Sequence, residues 1–207
     1  MKNKKWIQNV KGKMVWIRDS IFPFIPNHKD AKKLSQREEK LKEINQFSSK
    51  LEEEYSDVVK QINREKLTNL YIKTFDSKEK LENKAKAMTL SITVSVTLVL
   101  NLSNIIINIY ESIPIVYIRA CYAVLGIIAI GEMIMAALLS AQVFLKEITI
   151  YVVDETKDNV IFEYKKCIIL NRLSNLKRSN YIYTAYENLR NSLVILLFFF
   201  VSLIVIA

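Results

Sequence analysis

The residue best placed to do chemistry in this chain is Glu132. It is the one charge between Arg119 and Lys146, and the midpoint of 119 and 146 is 132.5. A charged group at the centre of a bilayer costs about 2.5–3.5 kcal/mol on insertion scales, so an acid there faces protein or water and not lipid. On a helix its face is lined by Ala129, Ala136 and Ser140, small residues that let another backbone come close. A second apolar stretch offers a matching face. Thr89, Thr93, Thr97, Asn101, Asn104 and Asn108 step by four or three, which keeps them within about 120° of helix arc. The midpoint of Lys86 and Glu111 is 98.5, which sets Thr97 and Asn101 at the depth of Glu132. Three roles fit such a seam: hydrogen bonding between helices with Glu132 neutral, the lining of a pore once copies assemble, and a proton relay.

Other chemistry is poorly provided for. Gly12, Gly126 and Gly131 are the only glycines, so no phosphate loop can be built. His28 is the only histidine, which leaves neither a His-rich metal site nor a histidine-based triad. Cys121 and Cys167 cannot make a disulfide framework. Cys167 has Lys165 and Lys166 beside it and reads either as a mildly activated thiol or as an inert buried one. We therefore expect no enzyme activity and no catalytic, cofactor-binding or metal-ligating residues. The net charge of +9 does not call for nucleic acid, because most of the excess flanks the apolar stretches.

The elements that must hold these residues are helices. Hydrophobic residues make up 51% of the 207 and charged residues 25%, but the two are segregated along the chain. No Gly or Pro occurs between Pro26 and Pro114, which predicts long helices and an all-α fold. Residues 87–110 and 191–207 carry no charge. With 119–145 they predict three membrane spans, the first about 36 Å long and the last about 26 Å. Lys73, Lys78, Lys80, Lys84 and Lys86 precede the first span, the connection 111–118 lacks Lys and Arg, and 146–190 holds eight basic residues. The positive-inside rule then puts the N-terminus and 146–190 in the cytoplasm of an inner-membrane protein, and the C-terminus outside.

The remaining segments follow from their periodicity. Residues 1–26 read as a basic amphipathic helix at the membrane interface, with Trp6, Val10, Met14, Ile17 and Ile21 along one face against lipid. In the charged region 27–86, Leu41, Ile44, Leu51, Tyr55, Val58 and Ile62 form a coiled-coil-like seam, either between subunits or against another helix of the same chain. Ser35–Glu38 and Asp76–Glu79 read as capping boxes that start helices, and a break near 74–77 would turn a stalk into a hairpin. Residues 147–190 form a cytoplasmic segment. Within it Ile148–Val153 either continues the second span as helix or makes a short strand, and an amphipathic helix follows from Val160.

Residues 70–207 resemble the few-pass membrane effector modules of bacterial anti-phage defence systems, the SLATT type and the Pycsar transmembrane effectors. The likeness lies in a charged helix reaching Glu82-Asn83-Lys84-Ala85, two spans with a short outer connection, and a cytoplasmic helix carrying Tyr164, Asn171, Lys177 and Ala185. It is architectural, so no site residues carry over. The resemblance implies a homo-oligomer that damages the inner membrane when a partner senses infection. This chain differs in its third span and in lacking a nucleotide-sensor domain, which assigns sensing to a soluble partner protein. Two other functions suit the same sequence: a non-catalytic anchor recruiting a soluble partner through its coiled coil, and a small transport subunit with Glu132 as proton carrier.

Overall fold

A proline marks the start of the first long helix. Pro26 has no N–H to give, and it sits in the first turn of a helix, where no acceptor is waiting for one. The computed structural model describes residues 14–15, 18–101, 107, 111, 113–144 and 148–206. Its main helices are α1 (Phe24–Lys42), α2 (Ser49–Glu54), α3 (Ser56–Val59), α4 (Arg64–Asn101), α5 (Val116–Gln142) and α6 (Val160–Ile206). Among the described residues there is no strand, as the all-α reading expects. One helix there, α5, is long and apolar enough to cross a membrane. Side-chain caps begin two of the helices: Asn63 accepts from the Lys66 N–H at 3.2 Å, and Asn159 from the Phe162 N–H at 3.0 Å.

Two capping boxes expected from the sequence do not start helices. Ser35–Glu38 lies inside α1 and Asp76–Glu79 inside α4, and α4 runs unbroken through 74–77. Nothing before either box stops a helix, so the cap signal is overridden by continuous packing. The chain instead leaves regular helix at 43–48 and again at 60–63. Lys166 covers the end of α1: its Nζ donates to the carbonyl of Lys42, the last residue of the helix, at 2.5 Å, and to the Ile44 carbonyl just beyond it at 3.2 Å.

The chain divides into two compact units. The polar unit comprises His28–Ala85 and Gln142–Ile182. Its core gathers Leu41, Val58, Val59 and Leu67 around Tyr164, Ile168, Ile169, Leu170 and Leu173 of α6, with Ile44, Leu51 and Tyr55 packed against them. The expected coiled-coil seam is therefore an internal core. Five of its six residues join one cluster, while Ile62 is 79% exposed, because the chain folds back at 43–48 and cannot keep a single helical stripe.

Residues 148–153 are neither strand nor a continuation of α5. Buried non-helical backbone needs partners, and side chains supply them. Asn171 accepts from the Tyr151 N–H at 2.7 Å and donates to its carbonyl at 3.0 Å, doing what a neighbouring strand would do. The Tyr71 hydroxyl accepts from the Val153 N–H at 3.3 Å, and Arg178 donates to the Ile148 carbonyl.

The apolar unit comprises Met1–Asn27, Lys86–Ala141 and Tyr183–Ala207. The buried side chains of α5 fall on one face, namely Tyr122, Ala129, Glu132, Met133, Ala136, Leu139 and Ser140. Large apolar residues on the other faces are exposed, among them Ile127, Ile134 and Leu138 of α5 and Leu90, Leu98, Leu197 and Phe198 of the flanking helices.

Candidate functional site

Glu132 lies on the buried face of α5 and is only 3% exposed. Small neighbours allow this. Ala129, Ala136 and Ser140 have no exposed surface, so the partner helices come close enough to cover the acid.

The partner on one side is α6, and two contacts fix its register. The rings of Tyr122 and Phe199 meet edge to face with centroids 5.3 Å apart. The Ser192 hydroxyl donates to the Ala129 carbonyl at 2.8 Å. From Tyr122 to Ala129 is seven residues forward on α5, and from Phe199 to Ser192 seven residues back on α6, so the helices are antiparallel and in step. Continued by another turn, the same register sets Glu132 opposite Leu189 and Met133 opposite Asn188, and then Ala136 opposite Ala185. Leu189, Asn188 and Ala185 are all buried.

Asn188 is fully buried, and neither its amide nitrogen nor its amide oxygen has a hydrogen-bond partner. The Oε2 atom of Glu132 is likewise buried without one. The register therefore sets the three unpartnered polar atoms, one on α5 and two on α6, within one residue of the same level. Orphaned groups of this kind cost roughly 1–3 kcal/mol each. One water could serve all three, because it donates twice and accepts as well.

Among the described residues, one side chain of the α4 polar ladder meets α5. The Thr89 and Ser140 hydroxyls are 2.9 Å apart. Thr93 and Thr97 are exposed and donate to the carbonyls of Thr89 and Thr93, each at 2.9 Å. They do not face Glu132, which corrects the expected seam: a shared depth on two helices does not mean a shared face. Asn101 ends α4, its side chain outside the described residues, as are Asn104 and Asn108. Of the interface-helix residues, Met14 is 65% and Ile21 42% exposed, while Trp6, Val10 and Ile17 lie outside the described residues.

Asn188 and Ser192 were missed by the sequence reading. Both precede or enter the charge-free stretch that begins at Asn191, and the i, i+4 spacing of two small polar residues was the available signal.

The polar unit holds a second cluster that the sequence did not reveal. Glu38 is buried and takes both the Lys177 ammonium and the Tyr151 hydroxyl, with Lys42 at 4.0 Å. Burial, followed by the bond to Glu38, raises the pKa of the Tyr151 phenol. Arg178, also buried, donates to the Asn175 side chain and the Ile148 carbonyl, both neutral, and burial lowers its pKa. Cys167 is buried with its thiol pushed up to about 11 by burial, which makes it the inert alternative. Tyr164, Asn171, Lys177 and Ala185, the residues that carried the family resemblance, are all buried.

No family model, no curated protein and no solved structure matches this chain. Among the described residues there is no cluster of side chains suited to a metal ion.

Proposed function

We propose that this protein is an oligomeric membrane effector that permeabilises the inner membrane when a soluble partner acts on its cytoplasmic polar unit. The observation that carries the reading is the set of unpartnered polar atoms of Glu132 on α5 and Asn188 on α6, buried in the apolar unit at nearly the same level. A purely structural helix pair would gain from apolar residues at these positions. Three spans at 87–110, 119–145 and 191–207 are supported by the exposed Leu90, Leu98, Ile127, Ile134, Leu197 and Phe198, side chains that suit lipid. The exposed Met14 and Ile21 suit an amphipathic N-terminal helix at the same membrane's surface.

Self-association would use α4, since the seam at Leu41–Val58 is spent on the internal core. Ser91, Thr93, Ser95 and Thr97 each donate to the carbonyl four residues back. Their hydroxyls are therefore satisfied without water, and their small size allows close helix approach. The resemblance to few-pass anti-phage effectors supports the same reading and places the trigger in a partner.

The second reading is a membrane anchor that recruits a soluble partner, for which the exposed Ile62 and Ile72 of the polar unit are the observation. Controlled production in a bacterial host separates the two. An effector should collapse the membrane potential reported by a voltage-sensitive dye and stop growth. Normal growth with polarised membranes, with or without candidate partners at matched protein levels, refutes it in favour of the anchor.

A further inference from the structure

What crosses the membrane is the next question, and its answer rests on the permeabilising reading above. We infer that the Glu132–Asn188 site carries protons, with one internal water as the shared ligand.

Between α5 and α6 the backbones meet on Ala129, Ala136, Ala185 and Ser192, none of which has exposed surface. A hydrated ion does not fit between helices packed on such residues, whereas a proton needs only a chain of hydrogen-bonding groups. The orphaned atoms have the composition of one relay station. Asn188 supplies one donor and one acceptor, and Glu132 supplies an oxygen that is an acceptor when ionised and a donor when protonated. In the transfer, the O–H bond at Glu132 breaks as a new one forms on the water oxygen. That water then gives its extra proton to bulk water at one face of the membrane, and the Glu132 carboxylate takes one from bulk water at the other, so the site is unchanged after each passage. An acid is required, because only a group that exchanges its proton can pass it on.

Few other charges act on Glu132. On α5 the only other charged residue is Arg119, thirteen positions earlier. On α6 the nearest are Glu187, half-buried, and Arg190, exposed and donating to Asn191. From Ala87 to Asn101 α4 is uncharged, and Arg18 and Asp19 near the start of the chain pair with each other.

The full chain reconstituted in phosphatidylethanolamine–phosphatidylglycerol vesicles tests this. Proton entry is read by an entrapped pH dye with valinomycin and potassium balancing charge, and potassium release is read separately without valinomycin. Wild type should pass protons and retain potassium, and Glu132→Gln and Asn188→Leu should each lower proton flux at least roughly tenfold. Glu132→Asp, which keeps an exchangeable proton, should retain measurable flux and so rules out misfolding as the cause. The infrared carboxylic-acid band lost in Glu132→Gln should shift in Asn188→Leu if the two share a water. Proton flux unchanged by Glu132→Gln, or potassium released as readily as protons, overturns the proton inference and leaves permeabilisation standing. Absence of both fluxes, with candidate partners added to the vesicles as well as without them, overturns the permeabilising reading, and this one with it.

Discussion

Replacing Lys177 with Met should open the polar unit, and the size of the effect follows from its surroundings. Glu38 is 4% exposed and Lys177 6%, so removing the ammonium strands a carboxylate away from water. Breaking a buried pair from one side costs about 3–5 kcal/mol. Glu38 keeps the Tyr151 hydroxyl and has Lys42 at 4.0 Å, so the low end, about 3 kcal/mol, is expected here. Cys167 is a built-in reporter, being buried, with its thiol toward the Val152 carbonyl at 3.5 Å. In a Cys121→Ser background, thiol labelling of the detergent-solubilised chain should report opening of this unit alone. About 3 kcal/mol corresponds to labelling faster by roughly two orders of magnitude when closing outpaces modification. The double substitution Glu38→Leu with Lys177→Met removes both charges and should recover most of the protection. A Lys177→Met rate within about threefold of wild type, or a double variant no better than the single one, would refute the claim that a buried ion pair secures α1 to α6.

Other outcomes follow from the same geometry. Asn171→Ala removes both side-chain bonds to the Tyr151 backbone and should cost about 2–4 kcal/mol, read by Cys167 labelling as well. Val58→Asp places a charge at a position with no exposed surface and should unfold the polar unit, where an intersubunit seam would only dissociate; far-UV circular dichroism with size-exclusion chromatography distinguishes the two. Arg172 holds the Asp57 carboxyl below its ordinary 3.8, so this pair stabilises the fold above that pH and its contribution is lost as pH falls through the lower folded value. Denaturant unfolding should therefore show wild type more stable than Asp57→Asn near neutrality, by a small margin given the exposure of the pair, and equal to it in strong acid. An engineered cysteine at Ser112 should label from outside intact cells and one at Ser49 should not, with the reverse pattern sinking the proposed topology.

Composition and periodicity alone determined the helical class and the special standing of Glu132. Absence of Gly and Pro over a long stretch leaves the chain little but helix, and an acid among apolar residues has to be covered. The small residues at 129, 136 and 140 even showed which face of α5 would be buried. Partner choice was another matter. The sequence offered Thr93 and Thr97 to Glu132 by depth, but helix rotation turns both outward, and the polar residue within one position of the acid's level is Asn188 on α6. The stripe from Leu41 to Val58 was visibly apolar, yet whether it met another subunit or its own chain depended on folding back at 43–48. No local signal marks that turn strongly, since it is held by Lys166 from over a hundred residues away. The pairing of Glu38 with Lys177 and of Asn171 with the Tyr151 backbone is decided the same way. Hydrogen-bond partners distant in sequence are chosen by which helix faces pack, and packing is a property of the assembled fold.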